Sequence, residues 1–256
     1  MTEGSHDRQE AAVERRPRTG FWFGLVVVLV KPFMLLFTKR DWRGMENVPR
    51  SGGMIFVTNH ISHFDPFAVG FFIYECRRIP RLLGKASLFK LPIAGRIITS
   101  AGQIPVYRDT AEAADAFRAA VAAVEQGECV GIYPEGTITR DRELWPMTGK
   151  TGAARIALMT GCPVIPIANW GPQEVFASYG SHAVRLLPRK TMRITAGKPV
   201  DLSAFHGQPI TAELLQKATT VIMDRVAAEL GELRGENPPP RLYDPRKARE
   251  EGEEQV

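Results

Sequence analysis

Met54–Thr58 (MIFVT) runs straight into residues 59–66 (NHISHFDP), and the reading of these two stretches decides the fold of the chain. Five successive apolar or β-branched residues followed by a polar turn fit a strand buried on both faces, as in a parallel sheet. Pro66 disfavours helix at the residue before it and suits the first helical position itself. A helix is therefore predicted over residues 66–74 with Asp65 as its N-cap, and residues 60–64 become a loop between strand and helix.

Downstream of this unit the chain keeps alternating. Residues 109–126 read as a helix, with Asp109 and Glu112 at capping-box spacing and Phe117, Val121 and Val124 on one face. Gly127 is placed to end it. Strands are predicted over 129–133 and 163–168, with a helix over 151–160 between them closed by Gly161, and residues 193–196 add a further strand. Residues 212–230 form an amphipathic helix with Leu215, Val221, Ile222 and Val226 inside. The rhythm is α/β, and the short spacing between elements implies a single domain: a mixed sheet flanked by helices, over about residues 41–235. The Pro-rich and then charged tail of residues 236–256 is expected to be extended and loosely held. Residues 1–19 are polar, mixed in charge and without apolar periodicity, the signature of disorder.

Between that terminus and the domain, residues 20–40 change character abruptly. The run FWFGLVVVLV is broken by Lys31 and Pro32 and resumes as FMLLF. Ten helical residues reach roughly 15 Å against a hydrocarbon thickness of about 30 Å, and spanning with both runs would bury Lys31 at a cost of roughly 2.5–3.5 kcal/mol. An interfacial or re-entrant membrane-associating helical segment is expected, with a buried core helix as the alternative. Lys39, Arg40 and Arg43 follow where they would meet anionic headgroups. No small residues follow the apolar run, which counts against a cleaved signal peptide.

The apolar fraction of 44% suffices for a core, and the net charge of +5 suits an anionic partner without choosing among phospholipid, phosphorylated substrate and nucleic acid. Its distribution is uneven. From Cys76 to Arg108 there are seven basic residues and no acidic one, and residues 177–200 repeat the bias with Arg185, Arg189, Lys190, Arg193 and Lys198. A solvated face is the plain alternative for either cluster. Cys76, Cys129 and Cys162 are widely spaced and odd in number, so neither a disulfide framework nor a zinc site is indicated.

His60 and Asp65 carry the sharpest chemical signal. On a continuous helix positions five apart lie about 140° apart around the axis, but a loop can fold back and bring the Asp65 carboxylate to one imidazole nitrogen. The other nitrogen is then free to take a proton, as in the histidine–aspartate half of a serine-protease triad. Two other readings stay open: Asp65 caps the helix while His60 satisfies backbone groups, or His60, His63 and Asp65 ligate a metal. A second feature is Tyr133–Thr137 (YPEGT), which follows a predicted strand and so lies at the edge of an open α/β sheet where ligands bind. Gly149, Lys150 and Thr151 look like the end of a P-loop, but the glycine needed five positions earlier is Leu144. No G-x-S-x-G elbow occurs, which counts against a serine hydrolase.

Four motifs in order, residues 59–65, 102–108 (GQIPVYR), 133–137 and 164–167 (VIPI), resemble the glycerophospholipid acyltransferases, in particular the 1-acylglycerol-3-phosphate acyltransferases. The resemblance covers about residues 41–200. It implies His60 as general base with Asp65 as its orienter, and acyl-CoA or acyl-carrier-protein as donor. It further implies a lysophosphatidic acid or glycerol phosphate acceptor, no cofactor and no nucleic acid. The same resemblance makes Arg108, Glu135, Gly136 and Thr137 acceptor-binding, with Lys85 as a further phosphate ligand. Where the family carries Arg after Glu-Gly-Thr this chain has Ile138, so Arg140 enters as a substitute. The expected setting is a phospholipid surface on the cytoplasmic face of the membrane.

Overall fold

Alternation along the strands assigns the two faces of the sheet. In β2 (Met54–Thr58) Ile55 and Val57 join one buried apolar cluster while Met54 and Phe56 join another, so a strand with no exposed residue separates two cores. The structure is a computed structural model that describes residues 21–106, 113–179, 183–250 and Gly252. Its elements in chain order begin with α1 (Phe21–Phe37), β1 (Thr38–Arg43), β2, α2 (Asp65–Glu75), β3 (Pro80–Lys85), α3 (Ala86–Phe89), α4 (Ala94–Ser100) and β4 (Ile104–Val106). They continue with α5 (Ala113–Glu125), β5 (Cys129–Ile132), α6 (Gly152–Thr160), β6 (Val164–Trp170), α7 (Pro172–Val175), β7 (Lys190–Ala196), α8 (Ala212–Arg234) and α9 (Pro245–Glu250).

Seven strands form one sheet in the order β1-β7-β6-β2-β5-β3-β4. The five strands from β6 to β4 are parallel, β7 runs antiparallel to β6, and β1 follows β7 in parallel, so the sheet is mixed as expected. Helices α5, α6 and α8 cover one face through Val124, Ile156, Ala218 and Val226. The other face lies under α1 and α2 through Met34, Val69, Phe72 and Ile73. At the centre of β5, Gly131 makes room for its neighbours: a Cβ there would sit 2.2 Å from the Phe56 ring.

Several expectations change in detail. Residues 21–37 form one helix that continues through Pro32, roughly 25 Å long. Among the described residues no helix is long and apolar enough to cross a membrane. Met34 is buried in the core while Val28, Leu29 and Leu36 are exposed, so α1 packs on the domain by one side and leaves apolar residues open on the other. Lys31 and Arg40 pair with Glu75 at 3.1 and 3.2 Å, tying α1 and β1 to the end of α2. The described part of the tail, residues 236–250, is held by the domain: Thr148 N–H donates to Tyr243 O at 2.9 Å, and Ala248 in α9 is buried. The predicted capping pair Asp109 and Glu112 lies outside the described residues.

Candidate functional site

Strands β2 and β5 are parallel neighbours, so the loops that follow them leave the same edge of the sheet and meet. His60 N–H donates to Glu135 Oε1 at 2.9 Å, and Thr139 N–H donates to His60 O at 2.7 Å. Asn59, at the start of the first loop, is fixed from the other side. Its Oδ1 accepts from Asn169 N–H at 2.9 Å and its Nδ2 donates to Asn169 O at 3.1 Å, which locks it to the end of β6.

Within the loop the chain turns back on itself as the sequence requires. His60 Nδ1 lies 2.8 Å from Asp65 Oδ2, and the same oxygen accepts the N–H groups of Ile61 and Ser62 at 2.7 and 2.9 Å. An oxygen already receiving two amide protons has no place for a proton of its own, so Nδ1 carries the hydrogen and Nε2 presents a lone pair. Asp65 is the first residue of α2 and not its N-cap; Phe64 holds that position, and the Asp65 side chain serves the loop instead. Capping by Asp65 is thereby replaced by a three-donor contact centred on His60.

Burial pushes the Asp65 carboxyl above its ordinary range, while the His60 ring and the two amides pull it back. Asp65 Oδ1 and the Tyr133 hydroxyl are both buried without a hydrogen-bond partner. The Tyr133 ring lies against the imidazole with centroids 4.5 Å apart, closing one side of it. The His60 side chain keeps 17% of its surface accessible, so the pair opens to solvent through the histidine alone. His63 turns away, edge-on to Phe176 at 5.7 Å, and among the described residues no three His, Cys, Asp or Glu side chains gather as metal ligands.

Glu135 departs from its expected role as an acceptor ligand. It is buried, with Oε1 taken by His60 N–H and Oε2 by Met147 N–H at 3.0 Å, so its carboxyl braces two loops and faces no cleft. Burial drives that carboxyl up to about 8 against the pull of the two amides. Gly136 adopts φ 71°, a left-handed conformation that suits glycine at this turn. Thr137 and Arg140 are exposed beside it, and Lys85 is exposed at the end of β3. Ile138 is buried, its carbonyl accepting from the Tyr179 hydroxyl at 2.9 Å. Arg108 lies outside the described residues.

Sequence reading missed the outer brace. Ser62 Oγ donates to Phe176 O at 2.6 Å and Ser178 Oγ donates to Ile61 O, fastening the His60 loop to the segment after α7. The one signal for this side was Asn169, an amide in the otherwise apolar run VIPIANW. An apolar groove of 510 Å³ begins at this brace, bounded by Leu29 and Phe33 of α1, Phe64 and Phe67 by the loop, and Phe176 and Val184.

The His60–Asp65 pair stands at the carboxyl edge of a mixed sheet, and Phe64 of the same loop lines an apolar groove. Residues 39–170 match the acyltransferase family, and the chain belongs to it. It is 30% identical over 166 residues to the chloroplastic 1-acyl-sn-glycerol-3-phosphate acyltransferase BAT2 of Brassica napus, covering 64% of this chain and 46% of that one. A 1-acyl-sn-glycerol-3-phosphate acyltransferase of Borreliella burgdorferi is 29% identical over 134 residues, 52% of each chain. One from Bacillus subtilis is 27% identical over 183 residues, covering 71% of this chain and 83% of that one. The chain spans about half the length of the first two. The crystal structure of the 1-acyl-sn-glycerophosphate acyltransferase PlsC from Thermotoga maritima shares the fold, with a TM-score of 0.63 at 24% identity over 83% of this chain and 79% of that one.

Proposed function

We propose that the protein transfers a fatty acyl chain from a thioester of coenzyme A or acyl-carrier-protein to the free hydroxyl of lysophosphatidic acid at a membrane surface. The observation that carries this reading is the His60 to Asp65 contact of 2.8 Å, with Asp65 fully buried and His60 partly accessible to solvent. His60 Nε2 takes the proton of the acceptor hydroxyl as its oxygen attacks the thioester carbonyl. The new C–O bond forms, the C–S bond breaks, and the leaving thiolate takes the proton from the imidazolium. Asp65 stays against Nδ1–H throughout, fixing the tautomer and stabilising the positive ring.

The groove lined by Phe64 and Phe67, beside the His60 loop, is assigned to the apolar acyl chain. Lys85, Thr137 and Arg140, exposed by the Gly136 turn and the end of β3, and Arg108 are the side chains assigned to the acceptor phosphate. Glu135 supports the reading indirectly, by holding the His60 backbone. The relatives named for acylation of 1-acyl-sn-glycerol-3-phosphate support the choice of acceptor.

The test is a direct one: purified protein with labelled acyl-CoA and lysophosphatidic acid, products resolved by mass spectrometry against a panel of other lysophospholipids and glycerol phosphate. Diacylated product from lysophosphatidic acid is expected, and His60→Ala reduces turnover by about 10² to 10⁴. Near wild-type turnover in that variant rules out the mechanism, and product from another acceptor alone rules out the substrate.

A further inference from the structure

Within the acid-free basic stretch noted in the sequence, residues 86–100 fold into an element that the proposed chemistry does not use. Strand β3 leaves the sheet at the same edge as the His60 loop and runs directly into α3, a tight turn and α4. The turn is closely packed: Gly95 N–H donates to Leu91 O at 2.9 Å, and a Cβ on Gly95 would sit 2.2 Å from Phe89 O. Yet this element presents its apolar side chains outward, with Leu88 48%, Leu91 47% and Ile93 74% exposed. Large apolar groups fixed in solvent mark a surface that meets another apolar phase.

Charge identifies that phase. Lys90 and Arg96 flank the turn and line a cleft of 490 Å³ together with Leu91, Thr99 and Ser100. No acidic residue occurs between Cys76 and Arg108, and α1, which packs on α4, has none either. Val28 and Leu36 of α1 are exposed as well, at 67% and 65%. Apolar tips between two cations and hydroxyl donors match the layered chemistry of an anionic bilayer: hydrocarbon under phosphate. A protein partner would have to set acidic side chains against Lys90 and Arg96 beside an apolar patch, and acidic residues are depleted at the cores of protein interfaces.

We propose that the α3–α4 turn is a second membrane contact, which inserts Leu88, Leu91 and Ile93 and takes a phospholipid phosphate between Lys90 and Arg96. Together with α1 it gives two points of attachment, and these hold the edge of the sheet bearing His60 toward the lipid. The inference rests on the proposed membrane setting and is separable from it by experiment.

Full-length protein is sedimented with phosphatidylcholine vesicles and with mixed phosphatidylcholine–phosphatidylglycerol vesicles. Wild type binds the anionic vesicles more tightly. Leu91→Gln with Ile93→Gln weakens binding to both compositions about tenfold, while Lys90→Gln with Arg96→Gln costs roughly fivefold per cation on anionic vesicles and leaves binding to phosphatidylcholine as it was. All four positions are exposed, so melting temperatures stay at the wild-type value. A wild type that binds neither vesicle overturns the membrane setting itself. Wild-type binding with unaltered partition of both double variants overturns the second contact alone. So does loss of wild-type self-association in the leucine and isoleucine variant in lipid-free buffer, which assigns the surface to a second copy of the chain.

Discussion

Three donors converge on Asp65 Oδ2 while Oδ1 meets none, and this asymmetry separates the two functions of the residue. Asp65→Asn keeps an oxygen able to accept from Ile61 and Ser62, so the loop stays folded, but the charge that favours the imidazolium is gone. Turnover is expected to fall by about 10² to 10⁴ with a melting temperature within a few degrees of wild type. Turnover within tenfold of wild type shows that Asp65 has no part in positioning the base. Glu135 makes a different prediction, because its folded carboxyl titrates near 8 and its unfolded one near the model-peptide value of about 4.3. Between those values the folded chain holds a proton that the unfolded chain has released. The contribution of Glu135 to stability therefore falls as pH rises, by up to about 1.4 kcal/mol per unit, and levels off above the folded value. Thermal melts from pH 5 to 9 should show this decline in wild type and not in Glu135→Gln, whose side chain does not titrate. Parallel profiles for the two proteins discount the shift.

At the scale of elements, the loop after β5 reaches the site because α8 holds its far end. Arg234, in the last turn of α8, lies between the Trp145 and Trp170 rings at 4.2 and 4.6 Å and donates to Glu143 O at 2.7 Å. Trp145 is two residues from Met147, whose amide holds Glu135, which in turn holds His60. Two partly buried cation–π contacts are worth about 1–3 kcal/mol together, so Arg234→Ala should lower stability by that amount in urea unfolding and reduce turnover as well. A stability loss with no change in turnover disconnects the clamp from the site. Nothing in the sequence disclosed this clamp, since its three partners lie far apart in the chain and only folding brings them together. The central strands were legible for the opposite reason: β2, β5 and β6 are buried on both faces and read as apolar runs. The peripheral strands β1, β3 and β4 were not, because β1 (TKRDWR) is polar at the sheet's edge and β3 and β4 lie within the cationic stretch. The His60 to Asp65 bend was readable because Pro66 confines the helix to one side of it; the bracing by Ser178 and Asn169 depends on contacts more than 100 residues away and left only a stray amide as a clue.

Across the whole molecule, α1, the His60 loop and the segment after α7 come together at the apolar groove. That convergence explains why α1 is packed on the core by Met34 and tied to α2 through Lys31. Its inner side helps to wall the groove through Leu29 and Phe33, and its outer side faces away with Val28 and Leu36 exposed. Val184 stands at the groove's opposite wall, joined to Phe176 by a β-bridge, and remains more than half exposed, so a larger side chain there fits without disturbing the core. If the groove receives the acyl chain, Val184→Trp shortens the space available. Each methylene denied burial costs about 0.8 kcal/mol, roughly fourfold in kcat/KM. Competition between acyl-CoA donors of different length should then show the variant losing its longest substrates while short chains, which never reach Val184, keep their wild-type rates. An equal loss at every length places the acyl chain elsewhere, and leaves the groove as a seam between α1 and the domain.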